Sequence, residues 1–299
     1  MLNDLVAAVV VTYNRLDLLK KVIDGLLRQT RQLDAIIVVN NSSTDGTSEW
    51  IAEIKEQNSL IRVINQENLG SSGGQYTGGK IAYDSGYEWI WHLDDDVVPA
   101  KDCLENLLKY AKYDHCVAPL RMKAHATPEA KEEIFYEHDI IRFNFSNPLR
   151  SIWRDVFTED DYNYSESLIC VEGITLEGML LHRSMIEKVG YVEKGFFIYG
   201  DDTEYSVRLL RNNIRISIVK EAVIHRLLPM FDEYNFDWKT YYIIRNLIVI
   251  DVLHGNFLIR WIRPLGYLLT WLFRSKSRSN VRTTFRAFKD GYFYKSHNV

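Results

Sequence analysis

From Leu5 to Thr12 the chain is a continuous apolar, valine-rich run, and from Leu16 to Leu27 apolar residues recur at helical spacing. That pattern predicts a strand, a loop and a helix. It returns with Ala35 to Val39 followed by a helix from about Thr47 to Lys55. It returns again with Ile61 to Ile64 followed by a helix from about Gly73 to Asp84, and a fourth strand, Trp89 to Leu93, runs into Asp94-Asp95-Asp96. Short apolar strands alternating with amphipathic helices predict an α/β fold with a mostly parallel, doubly wound sheet, whose ligands bind beyond the carboxyl ends of the strands. Thr12-Tyr13-Asn14-Arg15 and the acidic triplet both fall at such ends.

The periodicity weakens from Lys123 to about Cys170, where Trp153, Tyr162 and Tyr164 mix with charges, as expected of an irregular insertion beside the cleft. Order resumes over Val171 to Leu181, with helices near Ser184 to Val189 and Thr203 to Arg211 and a strand from Ile214 to Val219. The remainder reads as helical, with a turn at His254-Gly255-Asn256. The expected organisation is a catalytic domain over 1–235 and a helical, basic and aromatic appendage over 236–299.

Composition refines this picture in three ways. The net charge of -4 gives no general case for nucleic-acid binding, but charge is segregated. Between Arg245 and Lys295 there are ten Lys or Arg against two acids, Asp251 and Asp290. The cysteines, Cys103, Cys116 and Cys170, have neither a close pair nor metal-ligand spacing, which fits a reducing cytoplasm. The amino terminus lacks a basic segment followed by an apolar leader core, and the apolar stretches near the carboxyl terminus are far shorter than the roughly 20 residues that span a bilayer. Neither a secretory leader nor a transmembrane helix is expected.

Several carboxylates crowded at one sheet edge need a counter-charge. A magnesium or manganese ion, which hard oxygens suit, supplies it and also binds a diphosphate. The plainer reading of Asp94-Asp95-Asp96 is a solvated acidic turn. The run Asn68-Leu69-Gly70-Ser71-Ser72-Gly73-Gly74 opens a helix, and its backbone N–H groups suit an anionic ligand, although a turn of small residues explains it equally well. Asn40-Asn41-Ser42-Ser43-Thr44-Asp45-Gly46 is either a loop with a helix cap or a site for base recognition. Asp201 and Asp202 begin a helix, where acids stabilise the dipole, or else one of them is a general base for an acceptor hydroxyl. His225 is a metal ligand or a partly buried surface histidine.

Taken in order, Val10-Val11-Thr12-Tyr13-Asn14-Arg15, the Asn40 to Thr47 loop, the Asn68 to Gly74 loop, the acidic triplet and Asp201-Asp202 resemble the landmarks of the inverting family 2 glycosyltransferases. The resemblance covers about residues 5 to 230 and implies the GT-A nucleotide-diphospho-sugar transferase fold. Asn-Leu-Gly followed by Gly-Gly, and then Trp-His-Leu-Asp-Asp-Asp-Val-Val-Pro, looks most like the bacterial galactofuranosyltransferases, with rhamnosyltransferases next. The resemblance implies that Thr12, Tyr13, Asn14, Arg15, Asn40, Asn68, Gly73, Asp94 and Asp95 line the nucleotide site. It also implies that Asp94, Asp96 and His225 hold Mn2+ or Mg2+, and that Asp202 is the base with Asp201 competing for the role. The implied donor is UDP-galactofuranose or, second, dTDP-rhamnose. The implied acceptor is a glycan, lipid-linked, in bacterial cell-surface polysaccharide synthesis. Asn40, where many relatives carry Asp, and Gln75, where an aromatic is usual, depart from the pattern.

Two other classes compete. A non-catalytic nucleotide- or carbohydrate-binding module would not require the whole set of acids together with His225. A nucleotidyltransferase should carry a Gly-rich basic loop after its first strand, which Thr12-Tyr13-Asn14-Arg15 is not. Leu247, Ile248, Ile250, Leu253, Phe257, Leu258, Trp261, Leu265, Leu268, Leu269, Trp271, Leu272 and Phe273, among Arg260, Arg263, Arg274, Lys276 and Arg278, either pack on the domain or dock on an anionic membrane surface. The second reading expects a cytoplasmic protein, peripheral on the inner face of the membrane.

Overall fold

The computed structural model describes residues 4–112, 114–124, 133–136, 139–229 and 236–297 of the 299-residue chain. Parts of the expected insertion (125–132 and 137–138) and the expected domain boundary at 235 therefore lie outside the described residues.

The first half alternates as the pattern requires: β1 (Val6–Thr12), α1 (Leu16–Leu27), β2 (Ala35–Asn40), α2 (Thr47–Gln57), β3 (Ile61–Asn65), α3 (Gly70–Asp84) and β4 (Trp89–Asp94). Then follow β5 (Val97–Pro99), α4 (Cys103–Tyr110), β6 (His115–Met122), the hairpin strands β7 (Ile140–Phe143) and β8 (Trp153–Val156), and α5 (Glu159–Tyr164). The chain continues through β9 (Leu168–Val171), β10 (Leu180–His182), α6 (Arg183–Val189), α7 (Asp201–Arg211) and β11 (Arg215–Arg226). It closes with α8 (Lys239–His254), α9 (Phe257–Arg274) and α10 (Arg278–Tyr292).

Among the described residues nine strands form the main sheet, in the order β3-β2-β1-β4-β10-β6-β11-β5, with β9 paired to β11. The β3-β2-β1-β4 half and the long β6–β11 ladder are parallel, and the short β10 joins them in antiparallel sense. Every residue of β1 is buried because both of its faces are covered. Ala7, Val9 and Val11 pack with Ala82 of α3, Met185 of α6 and Leu209 of α7. Val6, Ala8 and Val10 pack with Leu19 and Val22 of α1, Ile51 of α2 and Leu104 of α4. A period of two along one strand thus feeds two helix layers.

Two expectations shift. α3 begins at Gly70 rather than near Gly73, so that three more residues of the glycine run are helical. The span from Val171 to Leu181 is two short strands, β9 and β10, separated by an irregular stretch that carries Glu177. The helical carboxyl terminus is as expected, with the turn at Gly255.

Candidate active site

The ends of β1, β2 and β3 lie side by side because the parallel register sets Thr12 opposite Asn40 and Asn40 opposite Asn65. Side chains stitch the loops beyond them. Asn14, with φ of 53°, donates its N–H to Ser43 Oγ (3.0 Å) and accepts from Thr44 N (2.7 Å). Asp45 accepts from Leu16 N (2.9 Å), and Asn41 Nδ2 donates to Gly70 O (3.0 Å). The Asn40 amide donates to Ser48 Oγ (2.9 Å) and Asn65 Oδ1 (3.0 Å) and accepts from Ser43 N (3.0 Å). It is buried and shapes the loop, whereas Tyr13 stands exposed at the rim.

The glycines of α3 have a packing role. A Cβ at Gly74 would sit 2.3 Å from Val11 Cγ1, and one at Gly78 would sit 2.2 Å from Val9 Cγ1. Only glycine lets this helix lie so close on β1. Its amino terminus consequently sits over the strand ends, where Asn68 Oδ1 accepts from Gly70 N (3.0 Å).

Asp94 ends β4, and Asp95 and Asp96 make the turn into β5. Asp94, Asp96 and Glu177 each offer a carboxylate oxygen, and these lie within 4.8 Å of one another. Burial and mutual repulsion push Asp94 well above the usual carboxylate range and raise Asp96 as well. The donor set is hard oxygen around a charge deficit, which fits a divalent cation. Arg15 meets part of that deficit, with its guanidinium 2.9 Å from Asp95 Oδ1 and 3.0 Å from Asp96 Oδ2. Glu177 differs from the other two acids. Burial would raise its pKa, but Arg121 (3.0 Å) and Arg226 outweigh this and hold it below the usual range. Arg121 also pairs with Asp139 at 3.0 Å.

Gln75 is wholly buried and donates Nε2–H to Leu93 O (3.0 Å) and Asp94 Oδ1 (3.2 Å). Its Oε1 stands 2.8 Å from His92 Nδ1, which makes Nδ1 the protonated nitrogen of the ring. Burial lowers His92 to about 4, so the ring is neutral at physiological pH. The residue that departs from the family pattern therefore orients the first acid of the triplet.

Asp201 and Asp202 open α7. Asp201 is buried, and burial together with the charge on Asp202 pushes it up to about 7. Asp202 is half-buried and accepts from Thr203 N (2.6 Å) at its own helix start. His225 lies on β11 opposite Val98, two residues before Leu227, whose N–H donates to Asp96 O (2.8 Å). It stands outside the carboxylate group of Asp94, Asp96 and Glu177.

The structure thus gathers the loops of Thr12, Asn14, Arg15, Asn40 and Asn68, the triplet and Asp201 around the sheet edge. Sequence reasoning passed over Glu177 and Arg121. The available signal was a lone acid in an apolar stretch, Ile174-Thr175-Leu176-Glu177-Gly178-Met179-Leu180, which a buried strand tolerates only with a partner.

Residues 7–153 match the sequence profile of the family described as Glycosyl transferase family 2. This chain carries a family 2 glycosyltransferase domain. The glycosyltransferase is 28% identical over 217 residues to galactofuranosyltransferase GlfT1 of Mycolicibacterium smegmatis, covering 71% of this chain and 67% of that protein. It is 29% identical over 225 residues to galactofuranosyltransferase GlfT1 of Mycobacterium tuberculosis, covering 74% of this chain and 69% of that protein. Its fold matches the crystal structure of GalNAc-T7 with UDP, GalNAc and Mn2+, with a TM-score of 0.68 over 96% of this chain. At 13% identity that likeness concerns the fold alone, and the glycosyltransferase spans 55% of that chain. The architecture is of the GT-A type.

Proposed function

We propose that this glycosyltransferase transfers galactofuranose, with inversion, from UDP-galactofuranose to a glycan acceptor carried on a lipid. One observation supports this reading above the others: the triplet, the glycine-rich start of α3 and the Asp201-Asp202 pair converge at one sheet edge, in a chain whose relatives are galactofuranosyltransferases. An acid with a raised pKa beside a carboxylate cluster favours a catalytic site over a non-catalytic module.

In this reading Thr12, Tyr13, Asn14, Arg15, Asn40, Asn68, Gly73, Asp94 and Asp95 line the nucleotide site, and Arg15 exchanges its carboxylate partners for the donor diphosphate. Asp94, Asp96 and His225 hold Mn2+ or Mg2+. Of this set, Asp94 and Asp96 share one carboxylate group with Glu177, whereas His225 enters it through the family resemblance. When bound, the ion supplies positive charge against the leaving diphosphate.

Asp202 is the base. It takes the proton of the acceptor hydroxyl, whose oxygen bonds to the anomeric carbon as the bond to the diphosphate breaks and the electron pair leaves with the nucleotide. Asp202 is preferred to Asp201 because it is the less buried of the two. Transfer assays across UDP- and dTDP-sugars, with and without manganese, test the reading. Turnover of UDP-galactofuranose that requires the metal is the expected result, whereas turnover of dTDP-rhamnose alone would replace the donor.

Among the described residues no helix is long and apolar enough to cross a membrane. α9 nevertheless exposes Leu258, Trp261, Leu265, Leu269 and Phe273 along one stripe, with Phe273 90% exposed, and Arg260 and Arg274 of the same helix are exposed as well. That stripe supports peripheral docking on an anionic membrane at the cytoplasmic face, where a lipid-linked acceptor resides.

A further inference from the structure

The segment from Glu193 to Gly200 leads from α6 to the acids of α7, and other parts of the chain hold it from two sides. Phe197, Tyr199 and Gly200 have φ of 68°, 63° and 78°. Bulky residues keep such angles only where their surroundings impose them. On the donor-loop side, Phe197 O accepts from Ser72 N (3.2 Å). On the opposite side stands α8. Asn246, 1% exposed, directs Nδ2 at three carbonyls of this segment: Phe196 (3.1 Å), Ile198 (2.9 Å) and Tyr199 (2.6 Å). Arg245 donates to Gly195 O (2.8 Å) and Phe196 O (2.7 Å), and its Nε donates to Asn246 Oδ1 (2.8 Å), which sets the way the amide faces. The Phe197 ring stacks on Tyr242 at 4.9 Å, and Glu193 accepts from Tyr294 Oη (3.1 Å), Ser296 Oγ (2.6 Å) and His297 N (3.0 Å).

We propose that Asn246, oriented by Arg245, is a positioning residue for glycosyl transfer. It locks the left-handed turn that aims Asp201 and Asp202 and keeps that turn in register with the glycine loop. Asn246 supplies donors to carbonyls of this turn that would otherwise take them from water. The inference rests on reading Asp202 as the base. It makes the carboxyl-terminal helices a working part of the site, whether or not they also meet a membrane.

The test uses the full chain with Asn246→Asp, Asn246→Ala and Arg245→Met. Asn246→Asp keeps the shape and the bond from Arg245 but sets an oxygen against three carbonyls. Hydrogen exchange over 198–202 should quicken about tenfold or more while β1 and β4 stay unchanged. With UDP-galactofuranose and manganese, kcat should fall about tenfold or more with the donor KM within about threefold, since a misaimed group loses rate rather than binding. Arg245→Met should move both readouts the same way by less. Unchanged exchange in Asn246→Ala, or faster exchange with unchanged kcat, would overturn the proposal. If the Asn246 variants unfold, full activity in Arg245→Met overturns it as well. If the wild-type chain transfers nothing from this donor, the donor assignment falls and the exchange rates alone decide on the clamp.

Discussion

The Arg15 guanidinium stands 3.0 Å from Asp96 Oδ2, so a residue of the loop after β1 holds an acid of the carboxylate group. If Arg15 exchanges that partner for a diphosphate, Arg15→Met has opposite effects on two ligands. Manganese alone should bind more tightly, because a competitor for Asp96 is gone. The nucleotide sugar should bind about tenfold more weakly, the scale of one lost charge-assisted hydrogen bond. Calorimetry with each ligand checks the signs, and weakening of both would make Arg15 merely structural. Asp96→Ala should abolish manganese-dependent donor binding with the fold retained.

Asp202→Asn should leave donor affinity near normal and lower transfer by a factor of about 10² or more. Asp201→Asn should lower it less. The reverse order in single-turnover rates would move the base to Asp201.

The raised pKa of Asp201 has a signed consequence for stability. Its folded-state value of about 7 lies above the ordinary 3.8, so the protonated form favours the fold. That contribution is complete below the ordinary value and is lost as pH rises through about 7. In metal-free buffer the melting temperature of the wild type should therefore fall relative to Asp201→Asn between about pH 5 and pH 8. A parallel pair of curves would remove the assignment. The two acids titrate as a pair, and kcat should climb over the same interval as the pair loses its proton.

Gly70→Ala should destabilise the chain by about 1–3 kcal/mol or more, because φ is 73° and an added Cβ would lie 2.0 Å from Phe197 O. Urea unfolding measures it. An unchanged midpoint would mean that the glycine loop and the turn before α7 do not touch as described.

For the membrane, Leu269→Glu with Phe273→Glu should abolish pelleting with anionic vesicles at low salt and leave the melting temperature unchanged, since both side chains are exposed. Pelleting that survives would assign the stripe to another partner. Truncation from Leu265 is a poorer probe, because it also removes the Tyr294, Ser296 and His297 contacts that hold Glu193.

By itself the sequence determined the elements and the edge at which chemistry gathers. Strand and helix periods are local, and in a parallel sheet every strand ends on the same side, so Thr12, Asn40 and Asp94 had to share one edge once β1, β2 and β4 were recognised, and the pairing of β1 with β2 and β4 made them neighbours. The glycines of α3 were visible too, but their meaning was divided between anion binding and close packing until Gly74 and Gly78 were seen against Val11 and Val9. Only tertiary structure decided what meets from afar. Glu177 lies in an irregular stretch where no period marks it, and it joins Asp94 because β10 turns antiparallel beside β4. Asn246 sits in a helix that reads as mere appendage, yet it holds a turn some 47 residues earlier. Side-chain hydrogen bonds of that separation depend on how layers dock, and docking leaves no spacing in the chain to read.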